Sequence, residues 1–332
     1  MKEEDIRPAD LHEEYLRLSE VDAKDFFSSK DIRYDLPCPA CESNDIQNSF
    51  NKNGFGYVLC NHCGTLYQSP RPSIEAFEKF YVDSPSSNYW AEVFFPQIAE
   101  ARRNLIFKPR VDQISKYCDK KNIVHNTVMD VGAGYGIFLE EWRKQHPDNA
   151  VCAIEPGTKL AEVCREKKLD TLSALAEHAE VWADKGDLTT CFEVIEHVRS
   201  PLDFIKSLKK LTKPGGSVLI SGLGVDGFDI QVLWEHSKSI SPPHHINFMS
   251  VKGFEMLFEK AGFIDIDVLT PGKLDVEIVS KALDSSLKLT EINRFAVLLN
   301  RRGSTTQNDF QKFLIKHRMS SHVWVFAKRP TE

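Results

Sequence analysis

From Asn122 onward, short apolar runs alternate with stretches in which apolar residues recur every three or four positions. The short runs predict strands near 127–131, 150–154, 170–173, 187–192, 216–221, 263–269 and 322–328. The longer stretches predict helices near 136–145, 157–168, 201–211 and 250–261. Such alternation predicts an α/β domain with a mostly parallel sheet and helices on both faces. Lys213-Pro-Gly-Gly216 reads as a turn ahead of the strand at Ser217–Ile220. Segment 273–318 is too long for a simple connection and has a helical pattern, so it predicts a helical insertion. Upstream, Gly54–Leu59 reads as a strand, Ser73 caps a helix over Ile74–Tyr81, and a long helical segment runs from Phe94 to Cys118. The expected division is a helical extension over 1–35, a small ribbon over 36–72, a helical linker or lid over 73–121 and the α/β domain over 122–332.

The join between the first core strand and its helix is Asp130-Val-Gly-Ala-Gly-Tyr-Gly136. A strand, a glycine-rich turn and a helix form a nucleotide-type cradle. The next strand ends in Glu155, near the separation at which an acidic residue binds ribose hydroxyls. A dinucleotide fingerprint would place its third glycine one position later, where Ile137 stands. Asp130 at the mouth of the loop would repel a pyrophosphate and attract an ammonium group. A cofactor with an amino-acid end, a ribose and no phosphate suits that pattern, and S-adenosylmethionine (SAM) has those parts. The bland reading of the same loop is a tight turn without a ligand.

The eight cysteines refine the N-terminal part. Cys38-Pro-Ala-Cys41 and Cys60-Asn-His-Cys63 are separated by eighteen residues, the spacing of a zinc ribbon. Four thiolates close a tetrahedral shell, so the zinc is expected to be structural. His62 is either a spare ligand or an exposed side chain. Cys152 and Cys191 fall in expected strands as buried core residues.

The net charge of -6 gives no overall attraction to nucleic acid or anionic membrane. Met1-Lys-Glu-Glu-Asp5 has no apolar core, and no apolar run is long enough to cross a bilayer. A soluble, cytoplasmic protein with no membrane partner is the expectation. Two basic stretches, 101–121 and 300–329, read either as solvated helix faces or as patches that steer an acidic substrate.

Four segments make the chain resemble class I SAM-dependent methyltransferases: Val128–Gly136, Ala153–Pro156, Cys191–Val198 and Lys213–Ser217. The resemblance covers roughly Asn122 to Ala327. It implies a seven-stranded, Rossmann-like sheet whose final antiparallel strand, 322–328, inserts beside 263–269. By resemblance, Asp130, Gly132, Ala133, Gly134 and Tyr135 face the methionine end of SAM, and Glu155 with Pro156 takes the ribose. The adenine pocket would draw on Ser173, Ala174 and Leu175 and on Phe192 and Glu193. The ribbon ahead of Phe80-Tyr81 and Tyr89-Trp90 looks like a bacterial subgroup that joins a zinc domain to a methyltransferase domain. That subgroup includes sugar C-methyltransferases acting on nucleotide-linked deoxysugars, and enzymes of surface-glycan pathways. This chain is shorter and has a different C-terminal region.

Methyl transfer needs alignment and exclusion of water, and a base only if the acceptor must lose a proton. Glu196-His197, after the fourth core strand, is one candidate base cluster, or else a helix start that shapes the cofactor pocket. Pro242-Pro-His-His-Ile-Asn-Phe248 supplies His244 and His245 as further candidates, with Asn247 as an acceptor contact, or else a loop with local hydrogen bonds. Tyr81, Tyr89 and Trp90 form either a lid over the substrate or packing between ribbon and core. Asp226, Asp229 and Glu235 are carboxylates available to an acceptor pocket. The expected partner is a small polar molecule such as a nucleotide sugar. An RNA methyltransferase that holds RNA with its ribbon is the alternative, and it needs the two basic stretches to converge.

Overall fold

The computed structural model describes residues 2–27, 33–285 and 293–332. It contains two compact units, each assembled from separate stretches of chain. One comprises Met1–Ile98, Leu223–Phe254 and Val268–Val323. The other comprises Ala99–Gly222, Glu255–Asp267 and Trp324–Glu332.

The first unit holds two small sheets. β1 (Arg33–Tyr34) pairs antiparallel with β5 (Arg71–Pro72). β2 (Ile46–Lys52), β3 (Phe55–Cys60) and β4 (Leu66–Gln68) form an antiparallel ribbon. Asn53 and Gly54 join β2 to β3 at φ 49° and 81°. Two left-handed residues make the type I′ turn whose twist matches a hairpin, which is why Asn-Gly stands there. A fourth strand, β11 (Asn247–Phe248), reaches β4 from far along the chain and pairs Asn247 with Tyr67.

Helices complete this unit: Ala9–Phe26, Ile74–Asp83, Phe228–Leu233, Asp275–Ser285, Arg294–Asn300 and Ser304–Lys316. Ser73 caps the second of them, its hydroxyl accepting from the amide of Ala76. Residues 28–32 of the expected extension and 286–292 of the expected insertion lie outside the described residues. The four-part linear division does not coincide with the two units, and the buried side chains give the reason. Phe55 and Leu66 of the ribbon, Phe80 of the following helix, and Val225, Ile246 and Phe248 share one apolar cluster. Phe27 sits within it, its ring centroid 5.3 Å from that of Phe55 and 5.2 Å from that of Phe77. Aromatic contacts of this kind add about 0.5–1.5 kcal/mol each beyond the area they bury.

A seven-stranded sheet forms the core of the second unit. Its strands are β6 (Thr127–Val131), β7 (Ala150–Ile154), β8 (Asp170–Leu172), β9 (Gly186–Phe192), β10 (Thr212–Leu223), β12 (Ile264–Leu269) and β13 (His322–Lys328). Their order is β12-β13-β10-β9-β6-β7-β8, with β13 inserted between β10 and β12. β6 pairs parallel with both β7 and β9. Val128–Val131 and Gly186–Cys191 are buried throughout, the pattern of strands covered on both faces. The turn expected at 213–216 is instead absorbed into β10, whose register shifts between Thr212 and Ser217. The Gly215 amide donates to the carbonyl of Arg329 at 3.1 Å, so the glycines form a bulge tied to the C-terminal segment. The helical run after Ser84 extends to Lys121 and includes π-helical turns at Trp90–Phe94 and Arg103–Phe107. Among the described residues, no helix is long and apolar enough to cross a membrane.

Candidate cofactor site and cysteine cluster

The order in which strands are added reverses between the parallel neighbours β6 and β9, because the chain winds from β6 to β8 on one side and from β9 on the other. A ligand in such a sheet binds beyond the carboxyl ends of the strands at this reversal. β6 ends there, and the chain turns through Gly132, Gly134 and Gly136 at φ 72°, 54° and 66°. A Cβ on Gly132 would lie 2.8 Å from Val194, and one on Gly136 would lie 2.6 Å from Leu169. Gly134 differs, because no atom lies within 4 Å of where its Cβ would stand. The amides of Gly132 and Ala133 donate to the carbonyl of Ile154, which ties the loop to β7.

Two buried carboxylates flank this loop. Asp130 is 3% exposed, and its Oδ1 accepts from Thr190 Oγ1 on β9 at 2.7 Å. Burial pushes its pKa up to about 7, opposed by the Thr190 bond and by the Arg110 guanidinium. Glu155 follows β7. Its Oε2 accepts from the Gly134 amide at 2.7 Å and its Oε1 from the Gly157 amide at 2.9 Å. Burial raises Glu155 as well, and those two amides oppose the rise. Each carboxylate oxygen still has a lone pair for a further donor. An ammonium and a hydroxyl are donors that match the acceptors Asp130 and Glu155, and no atom crowds the Gly134 position in the same loop.

Arg110 completes the charge balance, and the sequence pattern does not single it out. Its guanidinium lies 4.5 Å from the Phe192 ring centroid and 3.7 Å from Glu193 Oε1. Glu193 Oε1 also accepts from Ser221 Oγ at 2.6 Å. The signal was its spacing: Arg110, Ile114 and Cys118 recur every four residues and share one buried helix face. Arg103 similarly pairs with Glu140 at 2.8 Å and with Glu141 at 2.5 Å. Two cations of the 101–121 stretch are thus counter-charges to carboxylates of the same unit, Arg110 buried and Arg103 partly so.

A family model described as a methyltransferase domain matches residues 98–268, which is 171 of the 332 residues. The chain belongs to this methyltransferase family. Curated relatives include the ubiquinone biosynthesis O-methyltransferase of Aliivibrio fischeri (strain MJ11), 39% identical over 103 residues. That match covers 29% of this chain and 43% of the relative. The protein of the same name from Vibrio vulnificus (strain YJ016) is 35% identical over 121 residues, covering 34% of this chain and 50% of that one. The chain therefore spans half or less of the length of these relatives. Among solved structures, the plantazolicin methyltransferase BamL, in complex with a triazolic desmethylPZN analogue and SAH, matches with a TM-score of 0.50 at 10% identity. It covers 77% of this chain and 94% of its own. A SAM-dependent methyltransferase from Archaeoglobus fulgidus matches at 0.48 and 15% identity, covering 72% and 100%. The likeness to BamL is one of fold, the Rossmann-like methyltransferase fold that the strand pattern predicts.

Elsewhere in this methyltransferase unit, Glu196 is 1% exposed and His197 is half-buried in the turn after β9. A Cβ on Gly222 would lie 2.5 Å from Ile195 and 3.1 Å from Glu196 Oε2, so β10 runs flush against this turn. Tyr135 is held through its carbonyl, which accepts from Lys167 Nζ at 2.7 Å. Pro156 is exposed, Ala174 half-buried and Leu175 51% exposed.

In the other unit the four cysteines converge. Cys38 and Cys63 Sγ lie 3.5 Å apart, as do Cys41 and Cys60 Sγ, and all four sulfurs lie within 4.8 Å of one another. Sulfurs around a tetrahedral zinc with bonds of about 2.3 Å stand roughly 3.8 Å apart, so the cluster fits that ion. The two turns are built alike. The Glu42 amide donates to Cys38 and the Gly64 amide to Cys60, each at 2.8 Å, and both donors take positive φ. His62 is exposed.

The proline-histidine segment is fastened to this ribbon. Arg71, 1% exposed, donates to the carbonyls of Gln68 and Ile246 at 3.0 and 3.2 Å and to Asn247 Oδ1. Tyr57 Oη donates to the His245 carbonyl at 2.7 Å. Asn247 is 1% exposed within β11, so its carboxamide serves the ribbon sheet. His244 is 4% exposed, with Nε2 2.8 Å from Ser86 Oγ and its ring between those of Tyr15 and Phe80. His245 Nδ1 lies 2.6 Å from the Ser239 carbonyl. Trp90 stacks on Phe94 at 4.5 Å and contacts Tyr15, Tyr89 packs into the same cluster, and Tyr81 is 41% exposed beside Phe80.

The three carboxylates offered for an acceptor pocket have other surroundings. Asp226 Oδ2 accepts from the Val251 amide at 2.7 Å, at the start of a helix. Asp229 is fully buried beside Asp275, and burial pushes it up to about 8. Glu235 is exposed, 3.6 Å from His236.

Proposed function

We propose that the chain transfers a methyl group from SAM to a small polar acceptor. The observation that carries this reading is the pair of buried carboxylates, Asp130 and Glu155, at the glycine loop after β6, where Gly134 leaves its surroundings open. SAM supplies a methyl carbon activated on a sulfonium, so the acceptor–carbon bond forms as the sulfur–carbon bond breaks. Asp130 holds the ammonium of the methionine end, and Glu155 accepts from the ribose hydroxyls. Arg110 offsets the carboxylates of Asp130 and Glu193 within the same buried region. His197, in the turn after β9, takes the proton from a hydroxyl acceptor.

The relatives named O-methyltransferases support a hydroxyl acceptor. The ribbon, with its resemblance to sugar methyltransferases, supports a nucleotide-linked sugar or glycan precursor. The RNA alternative has less support, because Arg103 and Arg110 are committed to internal carboxylates. The reading is tested by incubating the protein with methyl-labelled SAM and panels of nucleotide sugars and phenolic acceptors. Label should pass to one panel, and His197→Ala should lower turnover by about 100-fold with SAM affinity changed less than about twofold. Equal loss of affinity and turnover would remove His197 from the proton step.

Asp130 also sets a pH dependence. Its ionised form is the one that pairs with an ammonium, and that form is lost as pH falls through about 7. SAM affinity should therefore be full near pH ~8 and fall by about tenfold near pH ~6. Calorimetric titration at the two values checks this, and an affinity that rises toward acid pH would reverse the assignment.

A further inference from the structure

The helices Arg294–Asn300 and Ser304–Lys316 carry an exposed aromatic row. Phe295 is 60% exposed, Leu298 51% and Phe313 46%. They form a continuous face. The Phe295 and Phe310 ring centroids are 5.8 Å apart, Phe310 and Phe313 stack at 5.9 Å, and Phe313 meets His317 at 4.4 Å. Phe295 and Leu298 are three residues apart on one helix, so they share a side of it. The inner residues of the same helices, Ala296, Leu299 and Leu314, are buried in an apolar cluster, and Phe310 packs against it from the row, its ring 5.1 Å from that of Phe228. Phe295, Leu298 and Phe313 stand outside that cluster and are therefore surplus to the packing that holds the helices in place. Scattered exposed apolar residues are ordinary, whereas a contiguous aromatic row with a polar rim marks an interaction surface.

The charge around this row identifies its partner. Between Arg294 and Met319 six arginines and lysines stand against one carboxylate in sequence, Asp309, in a chain whose net charge is -6; in space Asp284 of the preceding helix adds a second, accepting from Asn300 Nδ2 at 3.0 Å. Arg294, Arg301, Arg302, Lys312 and Lys316 are exposed. Asp309 is itself 3.0 Å from Lys312. Aromatic and leucine side chains beside a basic rim are the composition of segments that lie in the headgroup region of an anionic bilayer. Long basic side chains also reach headgroup phosphates while their stems cover apolar surface.

We propose that this face docks the protein on an anionic phospholipid surface. The overall negative charge does not oppose it, because attraction by a basic patch acts only within about 10 Å at ordinary salt. The rings enter the boundary between headgroups and acyl chains, and the basic rim supplies the attraction. Docking of this kind is peripheral and reversible.

The test is co-sedimentation of the full chain with vesicles of mixed phosphatidylcholine and phosphatidylglycerol, and with vesicles of phosphatidylcholine alone. The expected result is binding to the anionic vesicles only, weakened by added salt. Arg301→Glu with Arg302→Glu should weaken it by about tenfold or more. Phe295→Ser with Phe313→Ser should do the same while leaving the melting temperature within about 2 °C, since the two rings are 60% and 46% exposed and neither belongs to the buried cluster. Absence of sedimentation with anionic vesicles overturns the proposal. So does binding that both double variants retain. A wild-type dimer that Phe295→Ser with Phe313→Ser converts to monomer, without vesicle binding, would assign the face to a second copy and overturn it equally.

Discussion

Asp130→Ala should weaken SAM binding by about 100-fold or more, because removing one member of a buried charge pair costs roughly 2–5 kcal/mol and each 1.4 kcal/mol is tenfold. The carboxylate is 3% exposed, so little water replaces it. Asp130→Asn separates charge from shape. The carboxamide keeps an oxygen for Thr190 Oγ1 and loses only the charge, so its affinity should fall nearly as far. Neither change should lower stability much, and the sign follows from the acidity. Burial raises the folded-state value to about 7 from an ordinary 3.8. Between those values the folded state keeps a proton the unfolded state has lost. Stability from this group is therefore present at acid pH and is lost as pH rises through about 7. Removing the carboxylate at neutral or higher pH relieves a buried charge. Calorimetry and a thermal melt read the two effects separately, and bound zinc should stay constant. Unchanged affinity in both variants would remove Asp130 from the cofactor site.

The second large effect is on the ribbon unit. Arg71→Met should lower stability by about 3–5 kcal/mol, the range for breaking a buried polar network from one side. Arg71 bonds two backbone carbonyls and Asn247 Oδ1, all in surroundings closed to solvent. Methionine fills similar space but donates nothing, so the Gln68 carbonyl and Asn247 Oδ1 lose this donor, while the Ile246 carbonyl keeps only the Gln68 amide at 2.9 Å. The loss corresponds to a fall of about 10 °C in the melting of this unit. Because Arg71 holds Ile246 and Asn247, the adjoining His244 and His245 should become more mobile. Scanning calorimetry checks the first effect, and the imidazole resonances check the second. A melting temperature within about 2 °C of wild type would show that the ribbon does not depend on this side chain.

The parts of the fold that were legible in sequence are those fixed over short stretches. The run 128–136 shows strand, loop and helix start within nine residues, and left-handed φ at Gly132, Gly134 and Gly136 explains why glycine recurs there. The cysteine pairs are legible because each turn is built locally, with the Cys38 and Cys60 carbonyls accepting four residues on. Asn53-Gly54 carries a hairpin signal too, although a strand read from Gly54 starts one residue into that turn.

What stayed hidden depends on distant partners. β11 is two residues long and exists because β4, some 180 positions earlier, offers an edge. Arg71 and Arg110 are charged, and charge reads as surface until the acceptors are known. Their burial follows from carbonyls and carboxylates that the chain brings to them from elsewhere. Asp226 and Asp229 were legible as carboxylates, but not as a helix-start acceptor and a buried acid.

The most direct measurement is calorimetric titration of the full chain near pH ~8 with SAM and, separately, with NAD. SAM should bind at about one site per chain with micromolar affinity, and NAD should release no heat. Heat from NAD, or none from SAM, would contradict the assignment of Asp130, Glu155 and the glycine loop as a SAM site.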